Sequence, residues 1–391
     1  MRAQDLALQR DKYRHLSDEE WRWLLQQVEG RERTADKLPT FAAIEDWWYP
    51  VRLSCEQCSS EITARYKAHL VNGKCVNGKC LDLTGGYGVD TFFLSEAFAH
   101  TDYVEQNAEL CRIAEHNKGE WQKANGESEI SVHNSTAEDF LPTAGKYDLI
   151  FLDPYRRDSH GGKVFRLEDC TPNVIELLPT LLEHLTPDGR LMLKLSPMLD
   201  ISLALSQLSI VNCQLNWDVH VVAVKNEVKE VLLMGERTNG ERASVITAID
   251  LAEPEKAFVF TKEEESLTSA PSPFTSHLSP FTFLYEPNAA ILKAGAYKLI
   301  GAHFGLQKAD ANTHLYFSDQ LVTAFPGRIW KIIELNPTKR KELTQANILT
   351  RNYPMTPDQL KKKLHLRDGG TAFVIGLRIN GKPTLLLAER V

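Results

Sequence analysis

Three glycines within four positions, in the sequence LDLTGGYGVD, are the first feature that could support chemistry. Gly85, Gly86 and Gly88 follow KCLDLT, which has the apolar pattern of a strand buried on both faces of a parallel sheet. A turn of this kind lets the backbone approach a ligand, although tight packing between a strand and a helix also requires glycine. The turn lacks the GKS or GKT ending of a P-loop, which disfavours a nucleoside triphosphate.

Two carboxylates near the ends of predicted strands indicate what the glycine turn would hold. Glu105 ends TDYVE, about 20 residues after the turn, where an acid accepts hydrogen bonds from both ribose hydroxyls of an adenosine. The alternative for Glu105 is a surface residue that caps the next helix. Asp82 precedes the glycines, where its charge repels a pyrophosphate and attracts a cationic amino group. The two acids favour an adenosine compound that carries an amino acid over a dinucleotide.

A second chemical signal is the sequence DPYRR after the apolar run YDLIFL. Asp153 should lie at the same edge of the sheet as the glycines, because ligands bind at the carboxyl ends of parallel strands. Pro154 follows, Tyr155 offers a ring that stacks on a base, and Arg156 suits a phosphate or a base edge. The alternative is that the two arginines form structural ion pairs with Asp158 and Glu168.

Short apolar runs that alternate with helical patterns predict an α/β fold. Residues 1–75 are predicted to form a helical extension, in which DEEWRWLLQQVEG ends at Gly30 and Ser59 or Ser60 caps SSEITARYKAHLV. Residues 76–264 contain five strand and helix units, which predict a parallel sheet. The next two runs, WDVHVVAVK and KEVLLMGE, are too close for a crossover helix and must form an antiparallel hairpin. A dinucleotide-binding fold has no such hairpin.

The C-terminal part has a different pattern. EEESLTSAPSPFTSHLSP is rich in Ser, Pro and Glu and is interpreted as a linker or an exposed loop. Residues 281–391 are predicted to form an α+β domain of the ferredoxin-like type, with helices at PTKRKELTQ and TPDQLKKKLHL and a hairpin turn at NGK. Lys and Arg are concentrated between Lys339 and Lys363, which suits either RNA or a solvated helix face.

Composition excludes several classes of protein. The 391 residues are 43% hydrophobic and 25% charged, as in an ordinary globular protein, and no apolar run is long enough to span a membrane. The charged N-terminus does not resemble a signal peptide, so we expect a cytoplasmic protein whose seven cysteines are reduced thiols. The net charge of −7 does not indicate a nucleic-acid partner, but a local basic patch remains compatible with it.

A metal site is not expected from the cysteines. Cys55 and Cys58 form a CxxC pair, but Cys75 and Cys80 are separated by four residues rather than two. Cys80 also begins the first core strand, where a thiol should be buried.

The order of several features along the chain resembles the class I S-adenosylmethionine-dependent methyltransferases. These features are the glycine turn, the acid after the second strand, LDP after the fourth strand and LTPDGRLMLKLSP for the fifth strand. The resemblance covers about Lys79 to Glu236. It implies that S-adenosylmethionine is the cofactor and that Glu105 binds its ribose. An acid after the third strand usually meets the adenine, and HNSTAEDF offers Glu138 and Asp139 as substitutes. The residues implied at the methionine part and beside the methyl group are Asp82, Thr84, Gly85, Gly86, Gly88 and Asp153.

The same resemblance assigns the acceptor pocket to the residues of DPYRR. In nucleic-acid amino methyltransferases a [D/N]-P-P-[Y/F] motif stands here, but this chain has Tyr155 in place of the second Pro and Arg156 in place of the aromatic residue. Adenine amino methylation is therefore disfavoured, and the catalytic residues expected are Asp153, Pro154, Tyr155 and Arg156.

A minor alternative is the Lys-Asp-Lys-Glu tetrad of ribose 2′-O-methyltransferases, which Asp153 and Lys194 resemble. Candidates for the remaining two members are Lys67, Lys74 or Lys79 as the first lysine and Glu230 as the acid.

Over its whole length the chain resembles an uncharacterised bacterial group in which a methyltransferase precedes ferredoxin-like and THUMP-like domains. The residues that carry this resemblance are EQCSSEITARYKA, DPYRRD, KLSPMLD and LTRNYPMTPDQLKKKL. Because THUMP-related domains bind RNA, it implies methylation of a ribosomal or transfer RNA base. Two other functions stay open: an inactive fold that serves as an RNA-binding or assembly scaffold, and a small-molecule methyltransferase whose C-terminal domain dimerises.

Overall fold

The computed structural model describes residues 2–71, 78–126, 128–156, 166–210, 215–237, 240, 242–274, 282–337 and 343–391. The chain forms two compact units, of which the first comprises Met1–Trp217 with Leu232–Glu241 and the second comprises Asp218–Val231 with Arg242–Val391. None of the described helices combines the length and the apolar character needed to cross a membrane.

The first unit begins with helices, as predicted: α1 (Ala3–Ala7), α2 (Asp18–Thr34), α3 (Pro39–Ala43), α4 (Arg52–Gln57) and α5 (Glu61–Val71). The expectation that α2 ends at Gly30 is wrong, because the helix continues for another turn to Thr34. A Cβ atom at Gly30 would lie 2.3 Å from the Cβ of Tyr49. This glycine therefore marks a close contact in the middle of the helix and not its end.

The sheet of the first unit follows. Its elements are β1 (Lys79–Asp82), α6 (Val89–Ser95), β2 (His100–Glu105), α7 (Ala108–Asn125), β3 (Glu129–Asn134), α8 (Ala137–Phe140), β4 (Tyr147–Leu152), β5 (Tyr155–Arg156), β6 (Cys170–Thr171), α9 (Val174–His184), β7 (Leu185–Leu195) and α10 (Ile201–Ile210). The parallel strands have the order β3-β2-β1-β4-β7, which confirms the five predicted strands. Asp82 pairs with Tyr103 on one side and Phe151 on the other, so the carboxyl ends of these strands meet at one edge.

The predicted hairpin is present as β8 (Leu215–Val224) and β9 (Glu227–Arg237). Lys225 and Asn226 connect the strands with φ values of 52° and 63°, which a two-residue hairpin turn of type I′ requires. In the order of the sheet, β9 lies between β8 and β7. The hairpin confirms the methyltransferase-like arrangement that the sequence indicates.

An aromatic cluster joins the N-terminal helices to α6 and α7. Phe41 stacks on Phe93 at 5.8 Å and contacts Trp121 edge to face at 5.7 Å, and Trp47 contacts Phe92 at 5.2 Å. All five rings are buried. The helical extension therefore shares one hydrophobic core with the helices that flank the glycine turn.

Alanine should have opposite effects on stability at two helical glycines of the first unit. Gly30→Ala is expected to lower the free energy of unfolding by about 1–3 kcal/mol, because its methyl group overlaps Tyr49. At Gly119 in α7, an added Cβ atom has no other atom within 4 Å. Gly119→Ala is therefore expected to raise the free energy of unfolding by up to about 1 kcal/mol, because alanine is the better helix former. Urea unfolding of both variants measures the difference. An increase in the free energy of unfolding of Gly30→Ala would contradict the close contact between Gly30 and Tyr49.

The second unit contains β10 (Val245–Asp250), β11 (Phe258–Thr261), α11 (Lys262–Leu267), β12 (Phe283–Pro287), α12 (Ala289–Ala294), α13 (Leu299–His303), β13 (Gln307–Asp310), β14 (Thr313–Ser318), β15 (Gly327–Leu335), β16 (Asn347–Arg351), α14 (Pro357–Leu364), β17 (Ala372–Ile379) and β18 (Lys382–Arg390). Its larger sheet has the order β13-β14-β12-β15-β18-β17-β16. The predicted NGK turn links β17 to β18, with Asn380 and Gly381 at φ values of 46° and 79°.

Two expectations for the C-terminal part have different outcomes. The interpretation of EEESLTSAPSPFTSHLSP as a linker or loop is wrong for its first residues, which belong to the helix α11. The side chain of the N-cap residue Thr261 accepts a hydrogen bond from the Glu264 amide, and the Glu264 carboxylate accepts one from the Thr261 amide. The helix predicted at PTKRKELTQ lies largely on residues 338–342, outside the described residues.

Candidate functional site

A cavity of about 320 Å³ opens at the carboxyl edge of β1, β2 and β4 in the first unit. The glycine turn, the ends of these strands and the loop before α5 form its walls. The structure thus brings together most of the residues expected at the site: Asp82, Thr84, Gly85, Gly86, Gly88, Glu105, Glu138, Asp153 and Tyr155.

The three glycines are required for different physical reasons. A Cβ atom at Gly85 would lie 2.2 Å from the ring of Tyr103, so this position serves packing. Gly86 and Gly88 have φ values of 55° and 85°, a conformation that favours glycine. A Cβ atom at Gly86 would meet nothing nearer than the Thr84 carbonyl oxygen at 3.8 Å. Gly86 is therefore the glycine at which the backbone leaves room for a ligand.

Glu105 links the end of β2 to the glycine turn. Its Oε2 accepts a hydrogen bond from the Gly86 amide at 2.9 Å, and its Oε1 accepts from the Asn107 amide at 2.8 Å. Each carboxylate oxygen has a second lone pair, so Glu105 can still accept from ligand hydroxyls.

Asp82 lies beneath the turn and is almost wholly buried. Its Oδ1 accepts from the Thr84 amide at 2.9 Å and its Oδ2 accepts from the Thr91 hydroxyl at 2.5 Å. Burial raises the pKa of this carboxyl to about 7, although both hydrogen bonds favour the charged form. The site therefore contains an acid that changes charge near neutral pH.

Asp153 lines the cavity next to the start of the glycine turn. Its backbone amide donates to the Thr84 hydroxyl at 2.7 Å, which ties the end of β4 to the end of β1. Its carboxylate forms an ion pair with Lys194, the penultimate residue of the neighbouring strand β7. Tyr155 also lines the cavity, and 56% of its surface is exposed. An exposed ring at this edge is available for stacking.

The remaining residues of DPYRR lie beside the cavity. Pro154 is buried and does not line it, and Arg156 pairs with Cys170 through the short strands β5 and β6. The Arg156 side chain and the whole of Arg157 lie outside the described part of the chain, so the alternative of structural ion pairs with Asp158 does too.

Glu138 and Asp139, the two substitutes expected at the adenine, are separated by the structure. Glu138 lines the cavity and is exposed to solvent. Asp139 is absent from the cavity wall, and its carboxylate accepts from the Thr136 hydroxyl at 2.9 Å in the cap of α8.

The tetrad candidates other than Asp153 and Lys194 are placed as follows. Lys67 on α5 is fully buried, Lys79 is exposed at the start of β1, and Glu230 is buried on β9 in the second unit. Lys74 lies outside the described residues. Asp90, in the first turn of α6, contacts both Lys67 and Lys194. The sequence pattern did not indicate Asp90 as a site residue.

The cysteines of the CxxC pair are protonated thiols. Burial raises the pKa of Cys55 to about 12, and it also raises the pKa of Cys58, which lines the cavity. Within the described ranges, no group of three or more His, Cys, Asp or Glu side chains is arranged to hold a metal ion. Cys75 lies outside those ranges.

The charge of the cavity wall suits a cationic ligand. Five carboxyl groups line it, and Lys194 is the one Lys or Arg among its described wall residues. Acids that surround a cavity stabilise a sulfonium or an ammonium group and repel phosphate. The five carboxyl groups belong to Asp82, Asp90, Glu105, Glu138 and Asp153.

A proposed methyltransferase from Porphyromonas gingivalis W83, of known crystal structure, is similar over nearly the whole chain. The two sequences are 33% identical, the TM-score is 0.82, and the match covers 96% of this chain and 92% of that one. The likeness therefore extends over both units.

Two uncharacterised S-adenosylmethionine-dependent methyltransferases, from the CDC 1551 and H37Rv strains of Mycobacterium tuberculosis, are also similar. Each is 22% identical over 381 residues, which is 91% of this chain and 92% of the relative. Family models match the C-terminal part: residues 283–326 match a ferredoxin-like domain, and residues 327–390 match a THUMP domain-like family.

Proposed function

Because this chain belongs to the S-adenosylmethionine-dependent methyltransferases with C-terminal ferredoxin-like and THUMP-like domains, we propose that it methylates a base of ribosomal or transfer RNA. The observation that carries the proposal is that a cavity lined by five carboxyl groups and a THUMP-like domain occur in one chain. THUMP-like domains are associated with RNA, and the exposed ring of Tyr155 in the cavity wall would be available to stack on a base.

The residues of the cavity fit the parts of the cofactor. When bound, S-adenosylmethionine supplies an electrophilic methyl group on a sulfonium cation. The open backbone at Gly86 would accommodate the methionine part, and Asp82 would lie near its amino group. Glu105 would accept from the ribose hydroxyls, and Glu138 would lie at the adenine end. Asp139 stands outside the wall and supports this end only through the cap of α8.

Asp153 and Tyr155 would form the acceptor side. Tyr155 would stack on the base, and Asp153 would accept a hydrogen bond from the nitrogen to be methylated, which aligns it for in-line attack. Bound S-adenosylmethionine would supply the methyl group and leave as the neutral thioether with the electron pair of the broken carbon–sulfur bond, and Asp153 would receive the proton that the nitrogen loses when its bond to the methyl carbon forms, then pass it to water. Pro154 fixes the backbone between the two side chains, and Arg156 would meet an RNA phosphate.

Helix α14 in the THUMP-like domain would contribute to RNA binding. Lys361, Lys362 and Lys363 lie in its last turn, and the latter two are exposed. Lys361 forms an ion pair with Asp368, so its charge is partly compensated. Exposed lysines bind the phosphate backbone without reading its sequence.

The test is transfer of a labelled methyl group to RNA from a strain that lacks the protein, followed by mass spectrometry of the nucleosides. We expect one modified nucleoside to appear with the wild-type chain and to appear more slowly with Lys362→Glu/Lys363→Glu. Binding of S-adenosylmethionine without any label in RNA would favour a small-molecule acceptor. The absence of S-adenosylmethionine binding would favour the scaffold function.

Affinity for S-adenosylmethionine is expected to fall as the pH falls below 7. The carboxyl of Asp82 has a pKa of about 7, and a bound ammonium group stabilises its charged form, so binding releases a proton from the protonated protein. Affinity should therefore be full above pH 7 and decrease by up to about tenfold for each pH unit below it. Calorimetry between about pH 5.5 and about pH 8 measures how the affinity depends on pH. An equal slope in Asp82→Asn would contradict the assignment.

A further inference from the structure

A row of alternating charges extends from the acceptor side of the cavity into the N-terminal helices. Asp153 pairs with Lys194, whose Nζ lies 3.4 Å from Oδ2 of Asp90. Oδ1 of Asp90 lies 3.1 Å from Nζ of Lys67, and Oδ2 accepts a hydrogen bond from the Ser59 hydroxyl at 2.7 Å. Both oxygens of Asp90 are therefore engaged by residues of the N-terminal segment.

Burial makes these contacts strong determinants of side-chain position. Lys67 has no exposed side-chain surface, and the side chains of Asp90 and Lys194 are 9% and 13% exposed. Burial by itself raises the pKa of Asp90, but the ammonium groups of Lys67 and Lys194 hold it below its ordinary value. Separating one of these side chains from its partners would leave a buried charge without a counter-ion, which costs free energy. The charged groups of Lys67, Asp90 and Lys194 are therefore held in fixed positions relative to one another.

The position of Asp90 explains how the row could act on the reaction. Asp90 stands two residues after Gly88, in the first turn of α6, and it lines the cavity. Lys194 has a flexible four-carbon stem, and the carboxylates of Asp90 on α6 and Asp153 after β4 both contact its ammonium group. Without Asp90 the ammonium group would lose one of these anchors and would no longer hold the Asp153 carboxylate in one place.

We propose that Lys67 and Asp90 are positioning residues, which hold Lys194 against Asp153, and that the N-terminal helices are thereby part of the methyl-transfer site. This inference rests on the proposed function in placing the sulfonium group and the acceptor beside Asp153. Ser59 and Lys67 come from the loop before α5 and from α5, outside the parallel sheet that carries the cofactor. The segment thus has a role in the chemistry beyond the aromatic packing that joins it to α6 and α7.

A double-mutant cycle on S-adenosylmethionine binding in the full chain tests the inference. Asp90→Asn and Asp153→Asn are each expected to weaken binding about tenfold, and the double variant is expected to weaken it about tenfold as well, because both changes disrupt one arrangement. Calorimetry measures the three affinities. A loss of about a hundredfold in the double variant would show independent effects and would overturn the proposal.

Glu138→Gln supplies the matched control, since it also removes a carboxylate from the cavity wall but takes no part in the ion pairs and the hydrogen bond described for the row. Its effect should add fully to that of Asp90→Asn. Thermal unfolding checks that each variant folds. If Asp90→Asn does not fold, Ser59→Ala replaces it in the cycle, because it removes only the hydroxyl at 2.7 Å from Asp90. Ser59→Ala should then weaken binding in the wild type and have no further effect in Asp153→Asn; equal effects in both would overturn the proposal.

The cycle separates this inference from the proposed function. It uses S-adenosylmethionine alone, so it gives a result even if RNA accepts no methyl group. Coupling between Asp90 and Asp153 without RNA methylation would leave the positioning role standing and reject the RNA acceptor. RNA methylation together with additive effects of Asp90→Asn and Asp153→Asn on binding would support the RNA acceptor and reject the positioning role.

Discussion

Gly86→Arg is expected to reduce the affinity for S-adenosylmethionine by about a hundredfold or more while the chain still folds. Gly86 faces the cavity, and its added Cβ would contact only the Thr84 carbonyl oxygen at 3.8 Å, so the arginine side chain would enter the space proposed for the methionine part. The new cation would also repel the sulfonium group. The φ value of 55° adds a cost of about 1–2 kcal/mol for any side chain with a Cβ atom.

Two controls separate steric exclusion from strain. Gly86→Ala carries the same backbone cost with a small side chain and should lose much less affinity than Gly86→Arg. Gly119→Arg adds the same cation on α7, where nothing lies within 4 Å of the new Cβ, and should bind as the wild type does. Calorimetry measures affinity, and thermal unfolding confirms the fold. Equal binding by Gly86→Arg and the wild type would place the cofactor elsewhere.

Asp153→Asn is expected to slow methyl transfer to RNA by about a thousandfold and to weaken cofactor binding by only about tenfold. The amide keeps the shape of the carboxylate but cannot take the acceptor's proton, and it loses the ion pair with Lys194. The loss therefore falls mainly on the transfer step and less on binding.

Single-turnover rates at saturating S-adenosylmethionine measure the transfer step apart from binding. Glu176→Gln, on the exposed side of α9, is the matched control for loss of a carboxylate and should transfer at the wild-type rate. A rate for Asp153→Asn within about threefold of the wild type would show that another residue receives the proton.

Local patterns were sufficient to predict the sheet and to indicate which residues would line the cavity at its edge. The glycine turn, Glu105 and Asp153 each follow a buried strand directly, and parallel strands present their carboxyl ends at one edge. The order of the elements therefore placed these residues together without knowledge of any distance. The hairpin of β8 and β9 was equally predictable, because its connection is too short for a crossover.

Contacts between distant segments could not be predicted in this way. Gly30 has the features of a helix end in the sequence, but Tyr49 packs against it in the middle of α2. Glu138 and Asp139 are adjacent in sequence, yet only Glu138 reaches the cavity, because a helix turns successive side chains to different faces.

The sequence alone determined the class of fold and the residues at the strand ends, since both depend on short-range pattern and on the direction of parallel strands. Only the tertiary structure decided that Lys67, 23 residues before Asp90, lies beside it and that both are connected through Lys194 to Asp153. The physical reason is that an ion pair between separate elements leaves no periodic signal in the chain. It forms because packing of α5 against α6 buries both charges together, and each charge needs the other once water is excluded.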